Sequence, residues 1–107
     1  MFIQTEDTPN PNTLKFLPGN SVLSDGTAEF INPESAKKSN LASMLFEVQG
    51  VSRVFFGSDF ISVTKEEEIQ WDVLKPSILT SIMEHYASGE PLIENVEKYH
   101  EGHNISE

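Results

Sequence analysis

Apolar and polar residues alternate in two short segments near the start of the chain. Residues 2–6 read "FIQTE", and residues 12–19 read "NTLKFLPG", which places Leu14 and Phe16 on one face and Lys15 on the other. Alternation with a period of two is typical of a strand that buries one face. Both segments are therefore predicted to be half-buried strands.

The stretch "TPNPN" at residues 8–12 separates these two strands. Pro9 and Pro11 fix their own φ angles and favour extended conformations for the residues before them. Asn10 and Asn12 carry side chains that bond nearby backbone amides in turns. We expect a rigid corner between two antiparallel strands, and we call residues 8–12 the proline–asparagine corner.

The middle of the chain predicts a short strand, a helix and a hairpin. "AEFI" at residues 28–31 is the short strand, and a helix follows from its cap at Ser39 or Asn40 to Gly50. Apolar residues recur in that helix at Leu41, Met44, Leu45 and Val48. Val51–Phe56 and Phe60–Lys65 are rich in β-branched and aromatic residues, and Gly57-Ser58-Asp59 supplies the turn.

A second, longer helix is predicted after the acidic run Glu66–Glu68, with Asp72 as its cap and Pro76 in its first turn. Gly89 is expected to end this helix. Its apolar stripe consists of Leu74, Ile78, Leu79, Ile82, Met83 and Tyr86.

The order of these elements predicts an α+β fold: a two-layer sandwich with a mostly antiparallel sheet and two helices on one face. We expect one folded domain over residues 1–92. Residues 93–107 contain few apolar side chains, so they are interpreted as a flexible tail or the start of an interdomain linker.

Composition narrows the classes of function. The chain has 107 residues, a formal net charge of -10 and no cysteine. The negative charge makes nucleic acids and anionic membranes poor partners, and the missing thiols exclude disulfides and cysteine-held metal or iron–sulfur sites. No targeting signal is evident in "MFIQTEDTPNP", which predicts a cytoplasmic protein.

Signatures of enzymes are missing from the sequence, so we expect a non-enzymatic protein with no catalytic and no metal-ligating residues. His100 and His103 lie three residues apart. Gly102 between them argues against a helical metal site, yet this pair and the acidic loops leave a small-ligand or metal-binding regulatory module as the alternative function. His85, near the end of the second helix, is interpreted as a cation that interacts with the helix dipole.

Aromatic residues provide candidates for partner contacts. Phe55 and Phe56 are adjacent on one strand and must point to opposite faces, so only one can pack beneath the helices. The sequence leaves open which one faces solvent or a partner. Gly57 and Asp59 at the hairpin turn are further candidates. Trp71 is either an apolar staple onto Pro76 or a stacking surface.

Three segments together resemble the N-terminal domain of the Nfu (NifU-like) iron–sulfur scaffold proteins. They are "TPNPNTLKFLPG", "GVSRVFFGSDFISVTK" and "WDVLKPSILTSIMEHYASGEP", and the resemblance covers residues 2 to about 92. It implies an accessory domain that helps to dock client apoproteins or cluster-assembly proteins. It also implies a [4Fe–4S] cluster on a Cys-x-x-Cys domain that this chain lacks, so no cofactor is expected here. The candidate partner-binding residues are Asn10, Pro11, Asn12, Phe55, Phe56, Gly57, Asp59 and Trp71.

Overall fold

A computed structural model describes residues 1–92, and the predicted tail or linker at 93–107 lies outside the described residues. Its elements are strands β1 (Gln4–Asp7), β2 (Thr13–Leu17) and β3 (Ala28–Phe30), a 3₁₀ turn (Ser35–Lys38), helix α1 (Asn40–Phe46), strands β4 (Val51–Phe56) and β5 (Ile61–Lys65), and helix α2 (Trp71–Ser88). The strands form one sheet in the order β1-β2-β5-β4-β3, and neighbouring strands pair antiparallel. The predicted α+β sandwich is confirmed.

The core forms between one face of the sheet and the two helices. Pairing brings Leu14 opposite Val63 and Phe16 opposite Ile61, so the apolar residues of β2 and β5 share one face. The same face of β4 adds Val54 and Phe56. The helices cover these side chains with Leu41, Leu45, Leu74, Ile78 and Ile82, and all of these core residues are at most 5% exposed. Removing such apolar surface from water supplies most of the driving force for folding.

Strand β1 differs from its prediction. It begins at Gln4 rather than Phe2, and all four of its residues are exposed. Because β1 is an edge strand, the helices do not reach its core-side residues. Phe2 lies outside the strand and is 77% exposed.

Helix α1 begins as predicted but ends earlier. Ser39 Oγ accepts a hydrogen bond from the Ala42 amide at 3.1 Å, which confirms the cap. The helix ends at Phe46, so the interpretation of Gly50 as its terminating residue is wrong. Gly50 has a φ of +109°, and a Cβ there would lie 3.1 Å from the Ile69 side chain. Close approach and backbone conformation therefore account for this glycine.

Helix α2 begins at Trp71 with Gln70 as its N-cap, so Asp72 lies inside the first turn and is not the cap. Pro76 is the sixth helical residue, beyond the first turn, and its missing N–H removes the bond that the Asp72 carbonyl would accept. The helix ends at Gly89 in the left-handed conformation, as predicted. Among the described residues, no helix combines the length and apolar character needed to cross a bilayer.

Candidate functional site

The candidate residues fall into two groups at opposite ends of the sheet. Thr13 pairs with Thr64 and Phe16 pairs with Ile61. The proline–asparagine corner directly precedes Thr13, and the turn at residues 57–60 directly precedes Ile61. A strand of this length separates them, roughly 15 Å at about 3.3 Å per residue. The corner and the hairpin tip are therefore two surfaces rather than one continuous patch.

A network of hydrogen bonds within the chain fixes the corner. Asn10 Oδ1 accepts from the Asn12 amide at 2.9 Å, and Asn12 Oδ1 accepts from Lys65 Nζ at 3.0 Å. The Thr8 hydroxyl lies 2.8 Å from the Asn10 carbonyl and 2.9 Å from the Thr13 carbonyl. Both asparagine side chains thus hold the turn in place, as expected of an architectural corner.

Trp71 ties the start of α2 to the corner. Its indole N–H donates to the Pro11 carbonyl at 3.0 Å, and its ring meets Phe16 edge to face at a centroid distance of 6.4 Å. As the first residue of the helix, Trp71 cannot be the predicted staple that precedes the cap. A cavity of about 360 Å³ lies between Trp71 and the corner.

At the other end of the sheet, the side chains of Phe55 and Phe56 point to opposite faces. Phe56 is fully buried and packs against Phe30 at a ring distance of 5.3 Å, so it is not available to a partner. Phe55 is half-buried on the opposite face and stacks on Phe60, with ring centroids 5.9 Å apart. Lys15 Nζ lies 4.4 Å from the centre of the Phe60 ring. We call the surface around Phe55, Phe60 and Lys15 the open sheet face, because no helix of residues 1–92 covers it.

Gly57 permits this arrangement of rings. A Cβ at this position would overlap the Phe60 ring, and the Gly57 amide donates to the Phe60 carbonyl at 2.9 Å. Gly57 is not among the glycines with a positive φ, so close packing rather than backbone conformation requires glycine here. Asp59 is exposed at the tip, where it borders a cavity of about 490 Å³ with Phe2 and Leu17.

An ion pair lies on the open sheet face. Arg53 Nη1 lies 3.3 Å from Glu29 Oε2, and both side chains are about half-exposed. Such pairs contribute about 0–1 kcal/mol because water screens them.

Phe60 and Lys15 were absent from the predicted contact residues. Lys15 was already assigned to the solvent face of its strand by its alternation with Leu14 and Phe16, but its contact with Phe60 depends on the fold.

His85 belongs to the core rather than to the solvated end of α2. It is 5% exposed, and no partner within residues 1–92 bonds its Nδ1. Burial lowers the pKa of His85 below its usual value, against a smaller opposing effect of Glu90. The predicted cation at the helix terminus is therefore wrong. The spacing of His85 from Leu74, Ile78 and Ile82 was the sequence signal for a buried position.

The described residues do not contain a group of three or more histidine, aspartate or glutamate side chains placed to hold a metal ion. The His100 and His103 pair lies outside the described part of the chain.

These features define a small α+β domain with an aromatic surface on the sheet and a braced corner at its end. The family model described as "Scaffold protein Nfu/NifU N terminal" matches residues 3–89. The chain belongs to this Nfu/NifU N-terminal family, as its three motifs suggested.

Relatives and solved structures agree with this assignment. The chain is 57% identical over 94 residues to the human "NFU1 iron-sulfur cluster scaffold homolog, mitochondrial", covering 87% of this chain and 37% of the human protein. It is 52% identical over 92 residues to "NifU-like protein 4, mitochondrial" of Arabidopsis thaliana, covering 86% and 32%. The solution structure of a NifU-like protein from Saccharomyces cerevisiae is 30% identical with a TM-score of 0.76, covering 86% of this chain and 83% of that one.

The names of the relatives contradict the predicted location of the protein. The cytoplasmic location is wrong, because these human and plant relatives are named mitochondrial. That prediction rested on the first residues of a chain that spans about a third of the length of these relatives, 37% and 32%.

Proposed function

We propose that this chain is a non-catalytic docking domain of an iron–sulfur cluster scaffold or carrier, and that client apoproteins or cluster-assembly proteins bind its open sheet face. Membership of the Nfu/NifU N-terminal family supports the link to scaffold proteins. The stacked pair Phe55–Phe60 on the uncovered side of the sheet is the observation that carries the docking surface.

Several physical features suit the open sheet face to protein binding. Aromatic side chains supply large contact areas at a low cost in conformational entropy and recur among the residues that dominate interfaces. Gly57 and the Lys15 ammonium hold the Phe60 ring in place before binding, so little order has to be gained. Asp59 and the hairpin tip form the polar rim of the proposed contact.

The corner residues Asn10, Pro11 and Asn12, with Trp71, form a second proposed contact region of lower weight. The side-chain oxygens of both asparagines and the Trp71 indole N–H already bond within the chain, so fewer polar groups are left for a partner. A partner that covers both regions would have to span the length of the sheet.

The cluster itself belongs elsewhere in this proposal. Because the chain has no cysteine, it cannot supply thiolates to a cluster. We infer that a Cys-x-x-Cys domain outside this chain carries the [4Fe–4S] cluster, and that residues 93–107 begin the connection to it. The names of the relatives support a mitochondrial setting for the protein.

The test is an NMR titration of the isotopically labelled chain with a purified apoprotein that requires a [4Fe–4S] cluster. We expect amide shifts on β4 and β5 around Phe55 and Phe60. Phe55→Ser should weaken binding about tenfold, the loss expected for an interface anchor. Met83→Ser is the matched control, since Met83 is 41% exposed on α2 in the other layer. Shifts confined to the corner, or equal affinities of both variants, would overturn the proposed surface.

A further inference from the structure

A groove runs between α1 and α2, on the side of the domain away from the open sheet face. It is a shallow, open depression of about 560 Å³, and its apolar lining residues are Met44, Val48, Val73, Leu74 and Pro76. Val73 is 68% exposed, so its apolar side chain is accessible from the groove. We call this feature the helix groove.

The exposed side of α2 forms one wall of the helix groove. Val73, Ser77, Thr80 and Glu84 follow each other at steps of four, three and four residues, so they share one helical face. All four are exposed, whereas Leu74, Ile78 and Ile82 are buried.

Acidic residues lie in and beside the helix groove. Glu47 lines it, and Glu84 continues the exposed face of α2. The acidic run Glu66–Glu68 lies beside it as well, since the Glu66 amide donates to the carbonyl of Gly50 at 2.7 Å, next to the lining residue Gln49. Lysine and arginine are absent from the lining among the described residues. The helix groove thus combines apolar side chains with acidic ones and lacks basic ones, which suits a basic amphipathic partner.

We propose that the helix groove binds an amphipathic helix of a partner protein, with leucine-like side chains on one face flanked by lysine or arginine. Helices commonly dock their apolar face into a groove of this kind, and complementary charge selects and orients them. A second copy of this chain is a poor occupant, because it also carries a net charge of -10 and would present the same acidic side chains. The site lies opposite the open sheet face, so both could be occupied together.

A simple pair of peptides tests the chemistry. The probe is an amphipathic helix built from leucine, alanine and lysine, and its counterpart replaces each lysine with glutamate. Added to the labelled chain, the lysine peptide should shift the amides of residues 44–49 and 73–81 and bind more weakly as salt rises. The glutamate peptide should leave the spectrum unchanged. No shift with the lysine peptide at millimolar concentration, shifts elsewhere, or equal binding of the glutamate peptide would overturn the proposal.

Matched variants separate the groove from overall charge and overall hydrophobicity. The double variant Glu47→Lys with Glu84→Lys should weaken lysine-peptide binding by about tenfold more than Asp25→Lys with Glu34→Lys, which changes the net charge equally. Val73→Ser should weaken binding, while Met83→Ser, at an exposed α2 residue that does not line the groove, should weaken it less. Equal losses within either pair would contradict a site in the groove. So would a dimer of the free chain, seen by light scattering and abolished by Val73→Ser, since a second copy would then occupy it.

Discussion

The two ends of the sheet use unusual residues for different purposes. At the corner, asparagine and proline side chains bond to or shape their own turn, and Trp71 and Lys65 brace it from outside. At the hairpin, Gly57 makes room for a ring, and two phenylalanines remain on a face that no described helix covers. The motif at the corner therefore stabilises the fold, whereas the motif at the hairpin leaves aromatic side chains accessible to a partner.

Helix α2 connects both ends. Its first residue, Trp71, donates to the Pro11 carbonyl, and near its last turn the Tyr86 hydroxyl donates to the Ser21 carbonyl at 2.9 Å. The Val22 amide in turn donates to the Ser58 carbonyl at 2.8 Å.

The largest effect is expected within the hairpin itself, from Phe56→Ala compared with Phe55→Ala. Phe56 is fully buried, so its truncation should reduce the free energy of unfolding by about 3–5 kcal/mol. Phe55 is half-buried and stacked on Phe60, so its truncation should cost about 1 kcal/mol or little more. Urea unfolding of both variants measures the difference. Similar losses would show that the two faces of β4 are not distinguished as described.

Gly57→Ala should lower the free energy of unfolding by about 1–3 kcal/mol, because the added methyl group overlaps the Phe60 ring. Phe60→Ala in the same chain should recover part of that loss, which a double-mutant cycle would report as a favourable coupling. Additive losses would place the strain somewhere other than at this ring.

Trp71→Phe removes the indole donor to the Pro11 carbonyl but keeps an aromatic ring near Phe16. We expect a loss of about 1 kcal/mol in the free energy of unfolding. Amide shifts should concentrate at residues 8–13, with little change around Phe55. Shifts that extend to the hairpin tip would show that the two ends are coupled more tightly than proposed.

The smallest expected effect is on the pH dependence of the free energy of unfolding. The lowered pKa of His85 means that the unfolded chain takes up the proton first as the pH falls below about 6.5. Stability should therefore decrease as the pH falls from about 6.5 through the lower folded-state pKa, and it should be fully present above that range. His85→Gln should reduce this pH dependence, as measured by urea unfolding at several pH values, while His100 and His103 remain in both proteins.

Hydrogen exchange localises the pH effect. Because His85 neighbours Tyr86 at the hairpin end of α2, acid should lower the protection factor of the Val22 amide more than that of the Lys65 amide, which donates to Asn12 at the corner. Equal losses of protection at both ends, or a pH profile unaffected by His85→Gln, would contradict this assignment.

Much of the fold was predictable from local pattern, and the exceptions have specific causes. Alternation in β2 and β5, the Ser39 cap and the Gly89 terminus are short-range features, and all are found in the structure. The cap of α2 was misplaced because Asp72 is a good cap by type, whereas the Trp71 contacts with Pro11 and Phe16 favour an earlier start. The motifs also predicted the family correctly.

Local sequence thus determined where strands and helices form, because backbone preference and side-chain periodicity act over a few residues. Tertiary structure alone decided that Phe56 is core and Phe55 is surface, since this depends on which face of the sheet the helices cover. It also decided that the corner and the hairpin tip lie far apart, because the antiparallel register of β2 and β5 sends their connecting turns to opposite ends of the sheet.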